Sequence, residues 1–189
     1  MQFSVGDKVV HPHHGPGQIT GVEQKEFLDG KKLYYKIEIP EHGLTVYLPS
    51  KKLQEIGVRL AMSRARLPRV LDRLRKKPGR LPDDYKERQE VVWEKLKTGR
   101  VSQMAEVVRD LTWHKHRDHL TKKDAELLAQ GTQRLAAEMA LATGAEVSEM
   151  EKAIVDTLAA VTSDQVDQER RHQRAAEVTG LHHVWEGRP

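Results

Sequence analysis

The chain has 189 residues, of which 38% are hydrophobic and 32% charged, with 32 Lys and Arg against 28 Asp and Glu for a formal net charge of +4. That length can bury a core without covalent staples, and the hydrophobic fraction excludes wholesale disorder. Cysteine is absent, which excludes disulfides, thiolate metal sites, iron–sulfur clusters and a thiol nucleophile. The opening lacks a basic segment followed by an apolar one, and no run of about 18 apolar residues occurs, so a soluble, cytoplasmic protein without membrane association is expected.

The first 50 residues read as short strands divided by turn chemistry. Lys8 to His11 is one, closed by the turn from Pro12 to Gly17, and Gln18 to Gln24 is a second, in which Gly21 suggests a bulge. After the hairpin signal Asp29-Gly30, Leu33, Tyr35, Ile37 and Ile39 alternate with polar neighbours at period two. Pro40 to Gly43 turns into Leu44 to Leu48, with Leu44, Val46 and Leu48 expected inward and Tyr47 outward. Four or five strands in this length suggest a small barrel of the SH3 or Tudor type.

From residue 60 the period becomes helical. Leu67, Val70, Leu71 and Leu74 share a face, Pro68 suits a first turn, and Pro78-Gly79 ends the helix. A second helix is expected from about Asp84 to Thr98, capped by Asp83 or Asp84, with Tyr85, Val92 and Leu96 along one side. A third begins at Ser102 and carries Met104, Val107, Val108 and Leu111. Thr121 to Asp124 forms a capping box that opens a long helix ending at Gly144, and Ser148 to Glu151 opens a fifth with Ile154, Leu158 and Val161. The fold class is therefore α+β, with a small β-barrel over 1–58, a compact all-α unit over 59–162 and a polar tail over 163–189.

Charge divides the chain along similar lines. Residues 1–58 are neutral, 59–100 carry 14 basic and 6 acidic residues, 101–162 are net −3 and 163–189 net −1. Within the basic segment Arg66, Arg69, Arg73 and Lys76 fall on one helical stripe. Arg suits phosphate because its planar fork offers paired donors, so the stripe is a candidate nucleic-acid contact, a solvated face being the alternative. Tyr85, at a helix start within this surface, can wedge against a base step or pack with Val92 and Leu96. Trp93, one position off that face, is expected to pack.

Lys25 and Tyr47 are the exposed candidates on the barrel. His11, His13 and His14 surround a turn, whereas His114, His116 and His119 cannot share one helix face, because i and i+2 lie about 200° apart. No Gly-x-Ser-x-Gly, His-Glu-x-x-His or phosphate-cradling glycine motif is present. No enzymatic activity, metal or cofactor is expected.

Phe3-x-Val5-Gly6-Asp7-x-Val9-Val10-x-Pro12-x-His14-Gly15, Leu44-Thr45-Val46-x-x-Pro49, Gly57-Val58-Arg59, and Glu94-Lys95-Leu96-x-x-Gly99 followed by Ala105 to Leu111 together resemble the CarD/CdnL family of bacterial transcription regulators. The resemblance covers about residues 1–160. It implies a non-enzymatic factor whose barrel grips the RNA polymerase β subunit; a monomer is the default expectation. The helical unit then contacts promoter DNA at the upstream edge of the bubble and stabilises the open complex. In the family an aromatic residue wedges into the minor groove, with an Arg three residues later near the backbone; these positions are Tyr85 and Arg88 here, and Lys86 lies between them. Two basic polymerase-contacting positions of the barrel correspond to Lys25 and Tyr47. The resemblance also implies association with the nucleoid through polymerase. A polymerase-independent nucleic-acid-binding protein and a protein–protein adaptor are the alternatives.

Overall fold

The computed structural model describes residues 3–27, 30–40, 43–163 and 171. Five strands form one antiparallel sheet: β1 (Lys8–His11), β2 (Gly15–Phe27), β3 (Gly30–Ile39), β4 (Leu44–Pro49) and β5 (Arg59–Leu60), in the order β4-β3-β2-β1-β5. A single turn of helix, α1 (Leu53–Ile56), leads from β4 to β5. The fifth strand thus begins just past residue 58 and pairs with Val9 and Val10 of β1.

The register between β2 and β3 shifts between Ile19 and Gly21, the bulge expected at that glycine, which bends and twists the long hairpin. Asp29 of the expected hairpin turn lies outside the described residues, but Phe27 pairs with Gly30 across it. At Gly17 a Cβ would stand 2.6 Å from the Glu38 carbonyl oxygen. The strands approach too closely there for any side chain. Tyr35, Ile37 and Ile39 are buried with Phe3, Val9, Ile19, Leu53 and Val58, and the Tyr35 hydroxyl donates to the Phe3 carbonyl at 2.7 Å. Leu44, expected inward, lies exposed at the start of its strand, and Leu33, which shares the alternation of Tyr35, Ile37 and Ile39, is exposed too, whereas Val46 and Leu48 pack on the core.

A 3₁₀ turn (Arg64–Arg66) runs into α2 (Leu67–Arg75), followed by α3 (Tyr85–Lys97), α4 (Val101–Arg117), α5 (Lys122–Thr143) and α6, which covers 147–163. Most boundaries follow the caps. Asp84 accepts from the Lys86 and Glu87 N–H groups at the start of α3, and the Thr121–Asp124 capping box opens α5. Gly144 ends α5 at φ 80, a conformation glycine adopts without steric cost. The helices enclose a second core of Val70, Leu74, Val92, Leu96, Met104, Val108, Leu111, Leu135, Met139 and Ile154. The helix opening at Ser148 in the sequence begins one residue earlier, and the tail lies outside the described residues except for 163 and 171.

Candidate nucleic-acid interface

Pro68 stands in the first turn of α2, where its missing N–H has no intrahelical partner to lose. Val70 and Leu74 bury the apolar stripe, with Leu67 and Leu71 packed beside it, and this orientation turns the basic stripe outward. Arg66, Arg69 and Lys76 are exposed. Arg73 is half-buried and donates to Glu106 on α4 at 2.9 Å. Arg66, Arg69 and Arg73 border one groove of about 410 Å³ between α2, β5 and the start of α4; Lys76 stands outside it. The groove also takes in Arg59 and Arg100, which helical spacing could not connect to α2 because they come from other elements. Their sequence signal was membership of the basic segment and, for Arg59, of the Gly57-Val58-Arg59 motif.

Tyr85 is the first residue of α3 and is 48% exposed. Its spacing to Val92 and Leu96 points inward, but side chains lean toward the helix N-terminus. At the first position the ring projects past the end of the packed face. The Asp84 cap fixes the backbone there, and Lys86 holds its ammonium 5.9 Å from the Tyr85 ring centroid. Trp93, expected to pack, is instead 46% exposed. One step of about 100° from Val92 carries it off the buried stripe.

Arg88 departs from the sequence expectation. It is buried, and its guanidinium donates to Asp124 on α5 at 2.8 Å and to the Pro82 and Asp83 carbonyls at 3.0 Å each. Its position, four residues before Val92 and eight before Leu96, places it on the inward stripe. Burial pushes the Asp124 carboxyl up, but bonds from Arg88 and from the Thr121 hydroxyl and N–H outweigh it and hold the group below its ordinary value. Arg88 therefore joins α3 to α5 and offers no free donor fork to a phosphate.

On the sheet, Lys25 of β2 and Tyr47 of β4 come together: the ammonium lies 3.9 Å from the Tyr47 ring centroid. Sequence spacing gave no sign of this cation–π contact, because β3 and its register set it. Of the histidines, His11 is buried and accepts at Nδ1 from the His13 and His14 N–H groups at 3.2 Å. Burial, with smaller contributions from His14 and His13, lowers its pKa to about 4, so it is neutral at pH 7. Among the described residues no three His, Asp or Glu side chains gather as a metal site, and no helix is long and apolar enough to cross a membrane.

Two family models match the chain: the CarD-like/TRCF RID domain over residues 3–60 and the CarD C-terminal domain over 69–155. The chain is 32% identical over 150 residues to YdeB of Bacillus subtilis (strain 168), named a candidate transcription factor, a match covering 75% of this chain and 93% of that one. Among solved structures, the solution structure of the 72-residue N-terminal domain of Myxococcus xanthus CarD is 34% identical, over 31% of this chain and 79% of that one, with a TM-score of 0.28. A sheet unit under the first family model, a helical unit under the second and the long match to YdeB lead to one conclusion: the chain belongs to the CarD/CdnL family, whose members are transcription factors that interact with RNA polymerase.

Proposed function

We propose that the chain regulates transcription initiation by docking its sheet unit, residues 1–58, on the RNA polymerase β subunit and applying its helical unit, 59–162, to promoter DNA at the upstream edge of the bubble. Tyr85 carries the reading: a large aromatic left exposed on a capped helix start, in the most basic segment of the chain. Such a ring can enter a minor groove and relieve an unstacked base step. Arg66, Arg69 and Lys76 supply attraction to phosphate without sequence preference, and Lys86 adds charge beside the wedge. Arg88 supports the helix from within. On the sheet, Lys25 and Tyr47 form the docking contact, the ring holding the ammonium in place.

Docking makes weak DNA contacts sufficient, because tethering raises the effective DNA concentration toward the millimolar range. The factor stabilises the open complex only by the amount it binds that state better than the closed one. It acts as a monomer, without catalysis or cofactor, in the cytoplasm at polymerase-bound DNA. With the full chain and bacterial polymerase, Tyr85→Ala should shorten open-complex lifetime several-fold, since base–aromatic stacking contributes about 1–3 kcal/mol, while polymerase binding is unchanged. Equal lifetimes would remove the wedge from the mechanism.

A further inference from the structure

We propose that the arginine-lined groove between β5, α2 and the start of α4 binds a free nucleotide carrying at least two phosphates. Its volume of about 410 Å³ lies within the range of small-molecule sites, about 300–1,000 Å³. Two of its five arginines are committed: Arg59 to both oxygens of Glu138 at 2.7 Å, and Arg73 to Glu106 at 2.9 Å. Arg66, Arg69 and Arg100 border the same space, and none forms an ion pair with a described residue. Like charges gathered around one concavity repel. An anion removes that repulsion, and guanidinium forks match phosphate oxygens in pairs.

The start of α4 adds to this field. Val101 and Ser102 line the groove, and the N-cap residue Arg100 gives no side-chain acceptor there; the Gln103 N–H donates to the Arg100 carbonyl at 2.9 Å, which leaves the Val101 and Ser102 N–H groups available to negative charge. Apart from Glu138, whose carboxylate is paired with Arg59, the rest of the surface is apolar: Leu60, 43% exposed, with Met62, Val70 and Val101. A bare phosphate would use the arginines and leave Leu60 uncovered. A nucleotide satisfies both, with its phosphates on Arg66, Arg69 and Arg100 and its base against Leu60 and a guanidinium plane. Duplex DNA can offer phosphates to the rim, but its bases are stacked within the helix and cannot reach the floor.

The test is the anisotropy of fluorescently labelled ADP titrated with the full chain at about 0.15 M salt, with unlabelled ADP, pyrophosphate, adenosine and a short duplex as competitors. The expected result is saturable binding displaced by ADP and pyrophosphate but not by adenosine. Arg69→Ala and Arg100→Ala should each weaken it roughly tenfold, the loss of one charge-assisted contact. Arg75→Ala, on the same helix but outside the groove, should leave it unchanged. Leu60→Ala should weaken ADP more than pyrophosphate; equal loss for the two overturns the placing of the base. Absence of saturable ADP binding, or equal weakening by Arg75→Ala and Arg69→Ala, overturns the site. If duplex binds through these arginines while ADP does not, the nucleotide site is refuted and the DNA reading stands.

Discussion

Arg88 and Asp124 illustrate how one residue can move from a surface role to a structural one. Their side chains are almost wholly enclosed, and the ion pair joins α3 to the capping box of α5. Removing one partner strands the other charge, typically at about 3–5 kcal/mol. Arg88→Met should therefore lower the midpoint of thermal unfolding by roughly 10 °C in a chain of this size. A second change, Asp124→Leu, should recover part of that loss, because a buried pair replaced by apolar groups is often near neutral. Recovery stays incomplete, since Asp124 also accepts from the Thr121 N–H at 3.2 Å. If Arg88→Met instead leaves the midpoint in place and weakens DNA binding, the arginine acts at the surface. Arg88 could have been read inward from its spacing to Val92 and Leu96, but a charged residue in a basic segment reads as surface on composition alone.

At the scale of elements, α2 presents one stripe whose members are not equivalent. Arg66 and Arg69 are free of ion pairs with described residues, whereas Arg73 is held by Glu106, which also lies 3.4 Å from Lys95. Each free arginine that meets a phosphate should contribute roughly 0.9 to the log–log slope of DNA affinity against salt. Arg66→Ala and Arg69→Ala should each flatten that slope, with Arg73→Ala having a smaller effect; slopes unchanged from the parent chain for all three would make α2 a solvated face. Much at this scale is legible in the sequence. Asp84, the Thr121–Asp124 box, Gly144 and the bulge at Gly21 act through local backbone chemistry, which a few neighbouring residues determine. Periodicity also oriented α2. It grouped Tyr85 with Val92 and Leu96, yet the ring is exposed, because burial at a helix end depends on which neighbouring element reaches that far; Trp93, expected to pack, stands exposed one position off that stripe. The Lys25–Tyr47 contact and the gathering of Arg59 and Arg100 with α2 depend on tertiary placement, which no local pattern encodes.

The whole molecule has two separate apolar cores, one within the sheet unit and one among the helices. Polar groups make the joint between them. Arg59 of β5 binds both oxygens of Glu138, which is fully buried on α5 and also accepts from the Met62 N–H at 2.9 Å; Arg59 further donates to the Gly99 carbonyl, and Lys8 of β1 to the Leu141 carbonyl. This joint fixes the position of Tyr85 relative to Lys25 and Tyr47, and hence where a helical wedge stands once the sheet is docked. Holding a reacting or contacting group in place matters because small displacements across a rigid body forfeit contacts at its far end. Glu138→Gln keeps the size of the side chain and an acceptor for Met62, but removes the charge that neutralises Arg59. Each core should survive it, so polymerase binding by the full chain should change by less than about twofold while open-complex lifetime falls several-fold, as a loosened joint relaxes a tethered contact. An unchanged lifetime would mean that the wedge finds its place without the Arg59–Glu138 joint; a parallel loss of polymerase binding would mean that the sheet itself depends on it.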